Sequence, residues 1–384
     1  MSAKKLYIIG NSYMDPIWPW RLKEGRSTWL NTCRSVVRIL QKYMMLRFAR
    51  SSVACYRWLK ERDPELFQAI ALLIDAGRWK AVGGWEEQSD TVITPAAALL
   101  RQSRFDREYF RRKFGREISI TYCVDSFGQN CGLLPPLAVR SFRRYVWICQ
   151  GRTEKKMPHQ FCLKGDDGTA EVTAFRVLGE YTTANCRNRE QLFARIEYLL
   201  ENGDEHQSFF FVIGDHGGGI NEDQLRWLLL AAERYPLEFS TLEHYFEVIE
   251  AEKLSVVSEE LFHHAPGCYS SVEPIKNWMA DCGELQRELW WFDLPSERVT
   301  PVCQSRLLGA DHIELTAASD GTKFHRAAWN LEPDVVIPLG QRRRDNGVIE
   351  WELWKSSGKR VPFQLRYGSS VIASRRWKET ICNC

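Results

Sequence analysis

Long apolar runs are what this sequence lacks. No stretch approaches the roughly 20 apolar residues of a membrane-spanning helix, so no membrane partner is expected. The segment before Gly10 is too short in apolar residues for the central region of a signal peptide, and a cytoplasmic location is expected. Charge of one sign is also scarce. The formal net charge is +3, and the basic run Arg342-Arg343-Arg344 is ended by Asp345. Neither makes the field that nucleic acid would require, and no nucleic-acid partner is expected. The 12 cysteines are scattered without a CxxC pair. That excludes zinc-finger spacing and leaves them, in a reducing compartment, as small buried hydrophobes. There is no internal repeat and no low-complexity segment.

What is present is ordinary in bulk. A chain of 384 residues, 44% hydrophobic and 26% charged, is long enough for two or three domains with a large core. The 15 tryptophans are unusual. Extra indoles fill cores, and flat aromatic faces also stack on the C–H surfaces of sugars; the count alone leaves both open.

Apolar patterning predicts a strand over 5–10, helices over 28–46 and 65–76, a short strand over 79–82 and a helix over 95–114. A strand over 118–124, a helix over 133–141 and a strand over 145–149 follow. Further on, strands over 171–176 and 209–213 alternate with helices over 189–201 and 222–234. Asp63-Pro64 opens the second helix and Gly77 closes it. Such alternation predicts an α/β fold, a parallel sheet or barrel with helices outside. It ends near residue 250. Residues 270–292 read as an amphipathic helix, and from about 312 short strands with Gly and Asn turns predict a β-rich region that is expected to be incomplete.

Three apolar strands run into acids. Residues 5–10 lead to Asp15, followed by Pro16-Ile17-Trp18-Pro19-Trp20. Tyr122-Cys123-Val124 leads to Asp125, followed by Ser126-Phe127-Gly128. Phe209-Phe210-Phe211-Val212-Ile213-Gly214 leads to Asp215, followed by His216-Gly217-Gly218-Gly219. Acids at strand ends of an α/β domain sit where active sites lie. Carboxylates there can hold a metal or act in pairs on a glycosidic bond. Each could instead cap a following helix. The glycine run lets backbone approach a ligand closely, but no Lys-Ser/Thr follows it, which excludes a phosphate loop.

These segments resemble glycoside hydrolase family 38, the zinc-dependent retaining α-mannosidases, and its bacterial branch in particular. Besides the three strand ends, the resemblance rests on Gly77-Arg78-Trp79, Val82-Gly83-Gly84-Trp85 with Glu87, Arg101-Gln102, His263-His264-Ala265-Pro266-Gly267 and Gly358-Lys359-Arg360-Val361-Pro362. It implies a seven-stranded α/β barrel over 1–255, a shortened helical domain over 256–310 and β-sandwich material over 311–384. It implies retaining hydrolysis of terminal α-mannosides in an oligosaccharide or glycan, with Asp125 as nucleophile and Asp215 as acid. Trp18 would be a stacking floor, Phe127 a wall, and Tyr13, Trp85 and His216 would stand near the sugar. The implied cofactor is Zn2+, with Asp15 and Asp125 as the ligands carried over. A homo-oligomer is an open expectation.

The sequence departs from the resemblance at one place that matters. The family's first motif reads His-x-His-x-Asp, and here Asn11, Ser12, Tyr13, Met14 and Asp15 occupy it. The later Phe-x-His-Asp segment is not found. An alternative reading follows, a catalytically impaired homologue that binds carbohydrate or a partner without turnover. A polysaccharide deacetylase ranks last, because no His-x-x-x-His spacing is present.

Overall fold

The computed structural model describes residues 4–17, 20–89, 91, 92, 94, 96–127, 129–147, 155–165, 170–180, 182–211, 217–259 and 261. It describes the backbone alone at 97, 131 and 139 and in strands over 329–332, 336–343, 349–355, 363–367 and 370–375. The helix expected over 270–292 lies outside these residues. The chain divides into two compact units, one of residues 1–94, 102–166 and 170–266, the other of 95–101, 167–169 and 267–384.

In the first unit, strand β1 (Lys5–Asn11) is followed by helix α1 (Leu22–Lys42). The helix starts six residues before its expected position. Glu24 in its first turn accepts the backbone N–H of Arg21 at 2.9 Å, a local signal outside the apolar periodicity. Strand β2 (Phe48–Arg50) and helix α2 (Val53–Arg62) come next, both unforeseen. Three residues are too few to show a period. Helix α3 (Pro64–Asp75) begins as expected, with the Asp63 carboxylate accepting from the Leu66 N–H at 3.0 Å. It ends at Gly77, whose φ of 68° favours glycine. Strand β3 (Trp79–Ala81), helix α4 (Ala96–Phe114, whose residues 96–101 belong to the second unit), strand β4 (Ile120–Cys123), helix α5 (Leu134–Val139) and strand β5 (Arg144–Trp147) follow. The unit continues with β6 (Gln160–Lys164), β7 (Glu171–Arg176), α6 (Arg189–Asn202), β8 (His206–Phe211), α7 (Glu222–Ala232), β9 (Leu237–Phe239), α8 (Leu242–Glu250) and β10 (Ser255–Val257).

The strands form two sheets, β3-β2-β1-β8 with β9 also on β1, and β10-β6-β7-β5-β4. All pairings are parallel except β6 with β7. A parallel bridge from Gly83 to Thr121 continues β3 into β4. Seven parallel strands therefore follow one another as β8-β1-β2-β3-β4-β5-β7. A closed seven-stranded barrel was expected; among the described residues no pairing of β7 with β8 closes the ring.

One core cluster draws a side chain from each of these strands or its end: Tyr7 and Ile9, Ala49, Val82, Ile120 and Tyr122, Val146, Phe175 and Phe210. Alternate residues of each strand point inward, as the pleat dictates. Helix α8 adds Leu242, Tyr245, Phe246 and Ile249 at the end where the strands begin. There Tyr245 meets Tyr7 at 5.4 Å between ring centres, and Glu250 holds Arg144 at 2.7 Å. The other end, where the strands finish, carries the loops with the acids.

Of the second unit, the antiparallel sheet β11-β14-β15 (Trp329–Glu332, Phe363–Tyr367, Ser370–Arg375) and the hairpin of β12 (Val336–Arg343) with β13 (Ile349–Lys355) are described.

Candidate active site at the strand ends

From buried Asn11, the last residue of β1, the chain passes through buried Ser12 to Tyr13, which is only 7% exposed. The Tyr13 hydroxyl donates to Asp15 Oδ1 at 2.5 Å. Burial, then the charges of Asp15 and Asp125, the hydrogen bond to Asp15 and the charge of Glu87 push its pKa far above the ordinary phenol value. The charges of acids on segments after β1, β3 and β4 thus all act on one hydroxyl. Asn11 Oδ1 accepts from the Tyr122 hydroxyl at 3.1 Å. Trp20 donates its indole N–H to the Asp15 carbonyl at 3.1 Å. Behind the loop, a Cβ on Gly25 would collide with the Pro16 carbonyl, so this glycine lets α1 lie against the Asp15–Pro16 backbone.

Arg50, the last residue of β2, is 1% exposed, and its guanidinium donates to the Ser12 carbonyl and lies 4.2 Å over the Trp29 ring. Burial works against the guanidinium charge; Cys55 and Glu87 outweigh it, and the pKa is raised. Burial pushes the neighbouring Cys55 thiol up to about 12, so it stays neutral. Ser52 donates to Glu87 Oε1 at 2.7 Å, and the Gln88 N–H reaches the same oxygen at 3.1 Å. Burial raises the Glu87 pKa, opposed by Ser52, Arg50 and the Gln88 amide. Gln88 ties two loops together, donating to Ser51 Oγ at 2.9 Å and accepting from the Val124 N–H at 3.1 Å.

That last bond anchors the turn carrying half-buried Asp125 and Phe127. Gln129 holds the far side of the turn through the Ser126 carbonyl at 2.6 Å. The capping alternative fails for both described acids. Helix α1 is capped at Arg21, and α5 follows a 3-10 turn that begins at Cys131, so neither Asp15 nor Asp125 is a helix cap.

Trp18, Asp215 and His216 lie outside the described residues. Trp85 is 1% exposed and lies among the buried residues. The described glycines after β8 pack on α1. Gly217, Gly218 and Gly219 have φ of 76°, 107° and 72°, and their close approach is to α1. The Gly218 N–H donates to Thr32 Oγ1 at 2.9 Å. Arg50, Ser52, Gln88 and Trp20 escaped the sequence reading. Arg-Ser-Ser at the end of a three-residue strand carries no periodic signal, and only the packing puts Arg50 beneath Ser12.

Acids grouped at the carboxyl ends of parallel strands, on a core of inward aromatics, lie where α/β domains carry their sites. Residues 3–267 match the glycosyl hydrolases family 38 N-terminal domain, and the chain belongs to that family. Over 230 residues it is 30% identical to an alpha-mannosidase of Saccharomyces cerevisiae, covering 58% of this chain and 21% of that protein. Over 288 residues it is 23% identical to alpha-mannosidase G of Dictyostelium discoideum, covering 70% and 26%. A crystal structure of an alpha-mannosidase from Enterococcus faecalis superimposes with a TM-score of 0.58 at 18% identity, covering 67% of this chain and 31% of that one. The chain thus spans about a quarter of the length of the curated relatives.

The family resemblance implies a zinc ion, and the described donors do not fit one. Tyr13 keeps its proton, and a neutral phenol is a poor ligand. Asp15 Oδ1 is engaged by that phenol, and Asn11 Oδ1 by Tyr122. Among the described residues, no three His, Cys, Asp or Glu side chains group so as to hold a metal.

Proposed function

We propose that the chain hydrolyses terminal α-mannosides of oligosaccharides or glycans with retention of configuration, Asp125 acting as nucleophile and Asp215 as acid. What supports this best is that the charges of Asp15, Asp125 and Glu87 all act on the Tyr13 hydroxyl at the strand ends, with Gln88 tying the Glu87 segment to the turn that carries Asp125. In this reading Asp125 attacks the anomeric carbon as the glycosidic bond breaks, Asp215 gives its proton to the leaving oxygen, and water then releases the sugar from Asp125. The Asp15–Tyr13 pair offers an acceptor and a polar edge to sugar hydroxyls. Trp18, Phe127 and His216 complete the pocket by resemblance. Asp15 and Asp125 are also the carried-over zinc ligands; because the described donors do not fit the ion, the proposed chemistry rests on carboxylates. A cytoplasmic setting and a homo-oligomer belong to the same proposal.

A second reading, sugar binding without turnover, is favoured by the Tyr13 hydroxyl bound to Asp15 where the resemblance has an imidazole. Release of 4-nitrophenol from its α-mannoside separates the two. Turnover that falls at least about 10³-fold in Asp125→Asn supports the hydrolase. Calorimetric binding of methyl α-mannoside with no turnover supports the second reading.

A further inference from the structure

The His-x-His-x-Asp pattern is replaced here by residues that bond to the protein itself. We infer that this site takes no divalent cation, and that the Tyr13 hydroxyl on Asp15 and the Arg50 guanidinium beneath Ser12 stand in for one. The two substitutions act together. At 2.5 Å, the Tyr13–Asp15 hydrogen bond leaves no room for an ion between the two oxygens. An ion on Asp15 would have to share the carboxylate with that bond, inside a site where Tyr13 is almost wholly buried. Asn11, fully buried, turns its amide oxygen to the Tyr122 hydroxyl.

Arg50 supplies what a metal would otherwise bring, a fixed positive charge. Its guanidinium reaches the carbonyl of Ser12, between Asn11 and Tyr13, and also contacts Cys55 Sγ at 3.7 Å. Trp29 covers its face at 4.2 Å. A guanidinium cannot shed its proton in a protein and cannot leave this pocket without exposing the Trp29 ring. Glu87 is its anionic counterpart, fixed by Ser52 and the Gln88 amide on one oxygen. A divalent ion at Asp15 would therefore join a buried cation already installed behind the same loop. The inference concerns the ion alone and stands whether or not mannosides are turned over.

The test is a metal count on the full chain. The protein is incubated with zinc chloride, desalted and analysed by inductively coupled plasma mass spectrometry, beside Asp15→Asn and Asp125→Asn. The expected wild-type content is below about 0.1 equivalent. Zinc that persists equally in both variants is held elsewhere and also supports the inference. One equivalent of zinc lost in both variants, with both folded by circular dichroism, overturns it. Where a zinc-binding wild type is paired with variants that fail to fold, the cobalt(II)-loaded wild type decides. Thiolate-to-cobalt absorption in the near ultraviolet marks a cysteine site and supports the inference; its absence overturns it.

Discussion

Ser52 holds Glu87 from a strained backbone. Its hydroxyl lies 2.7 Å from Glu87 Oε1, while its own φ is 77° with ψ of 105°, a region that non-glycine residues rarely enter. Such strain costs on the order of 1–3 kcal/mol and is tolerated where surrounding structure fixes it. Ser52→Ala keeps the strain and loses the hydrogen bond, whereas Ser52→Gly loses both. The glycine variant is expected to be more stable than the alanine variant by about 1–2 kcal/mol in urea unfolding. Equal stabilities would show that the backbone there is unstrained.

Gly25 sets where Asp15 stands. Because a Cβ would meet the Pro16 carbonyl, Gly25→Ala must move the loop or the helix. Overpacking of this kind costs about 1–3 kcal/mol. The expected result is lower stability together with weaker binding of methyl α-mannoside, while Gly77→Ala, at a position with open space around it, leaves binding unchanged. Unchanged binding in Gly25→Ala would separate the loop from the site.

Asp106, on α4, accepts the Gly84 N–H at 3.1 Å and is fully buried. Burial holds its carboxyl well above the ordinary value of 3.8, with the Gly84 amide and Arg107 only partly opposing this. A folded pKa raised above the unfolded one gives stability that is complete below the unfolded value and lost as pH rises toward the folded one. Asp106→Asn keeps an acceptor and cannot ionise. The variant is therefore expected to gain on the wild type as pH climbs from about 4 toward neutrality and beyond. A stability difference independent of pH would contradict this.

The sequence made the larger βα units legible because long periodic helices announce themselves and because Asp63-Pro64 and Gly77 punctuate one of them. The acids after β1 and β4 were legible for a related reason: an apolar strand that stops at a carboxylate is a local pattern. The parts that stayed hidden are short or non-local. β2 has three residues, and the Arg50–Ser12 contact joins residues 38 apart. An indole beside two glycines, such as Trp85, looks the same in sequence whether it lines a pocket or fills the core. Tyr13 was recognised as a departure from a motif, but its hydrogen bond to Asp15 is a matter of rotamer and burial.

The most direct test of the account uses 5-fluoro-mannosyl fluoride as a slow substrate, followed by peptide mass spectrometry. A retaining hydrolase with Asp125 as nucleophile predicts a fluoromannosyl label on the peptide containing Asp125, absent in Asp125→Asn. A label on any other carboxylate, or turnover of α-mannosides that yields β-mannose as the first product by proton NMR, would contradict it.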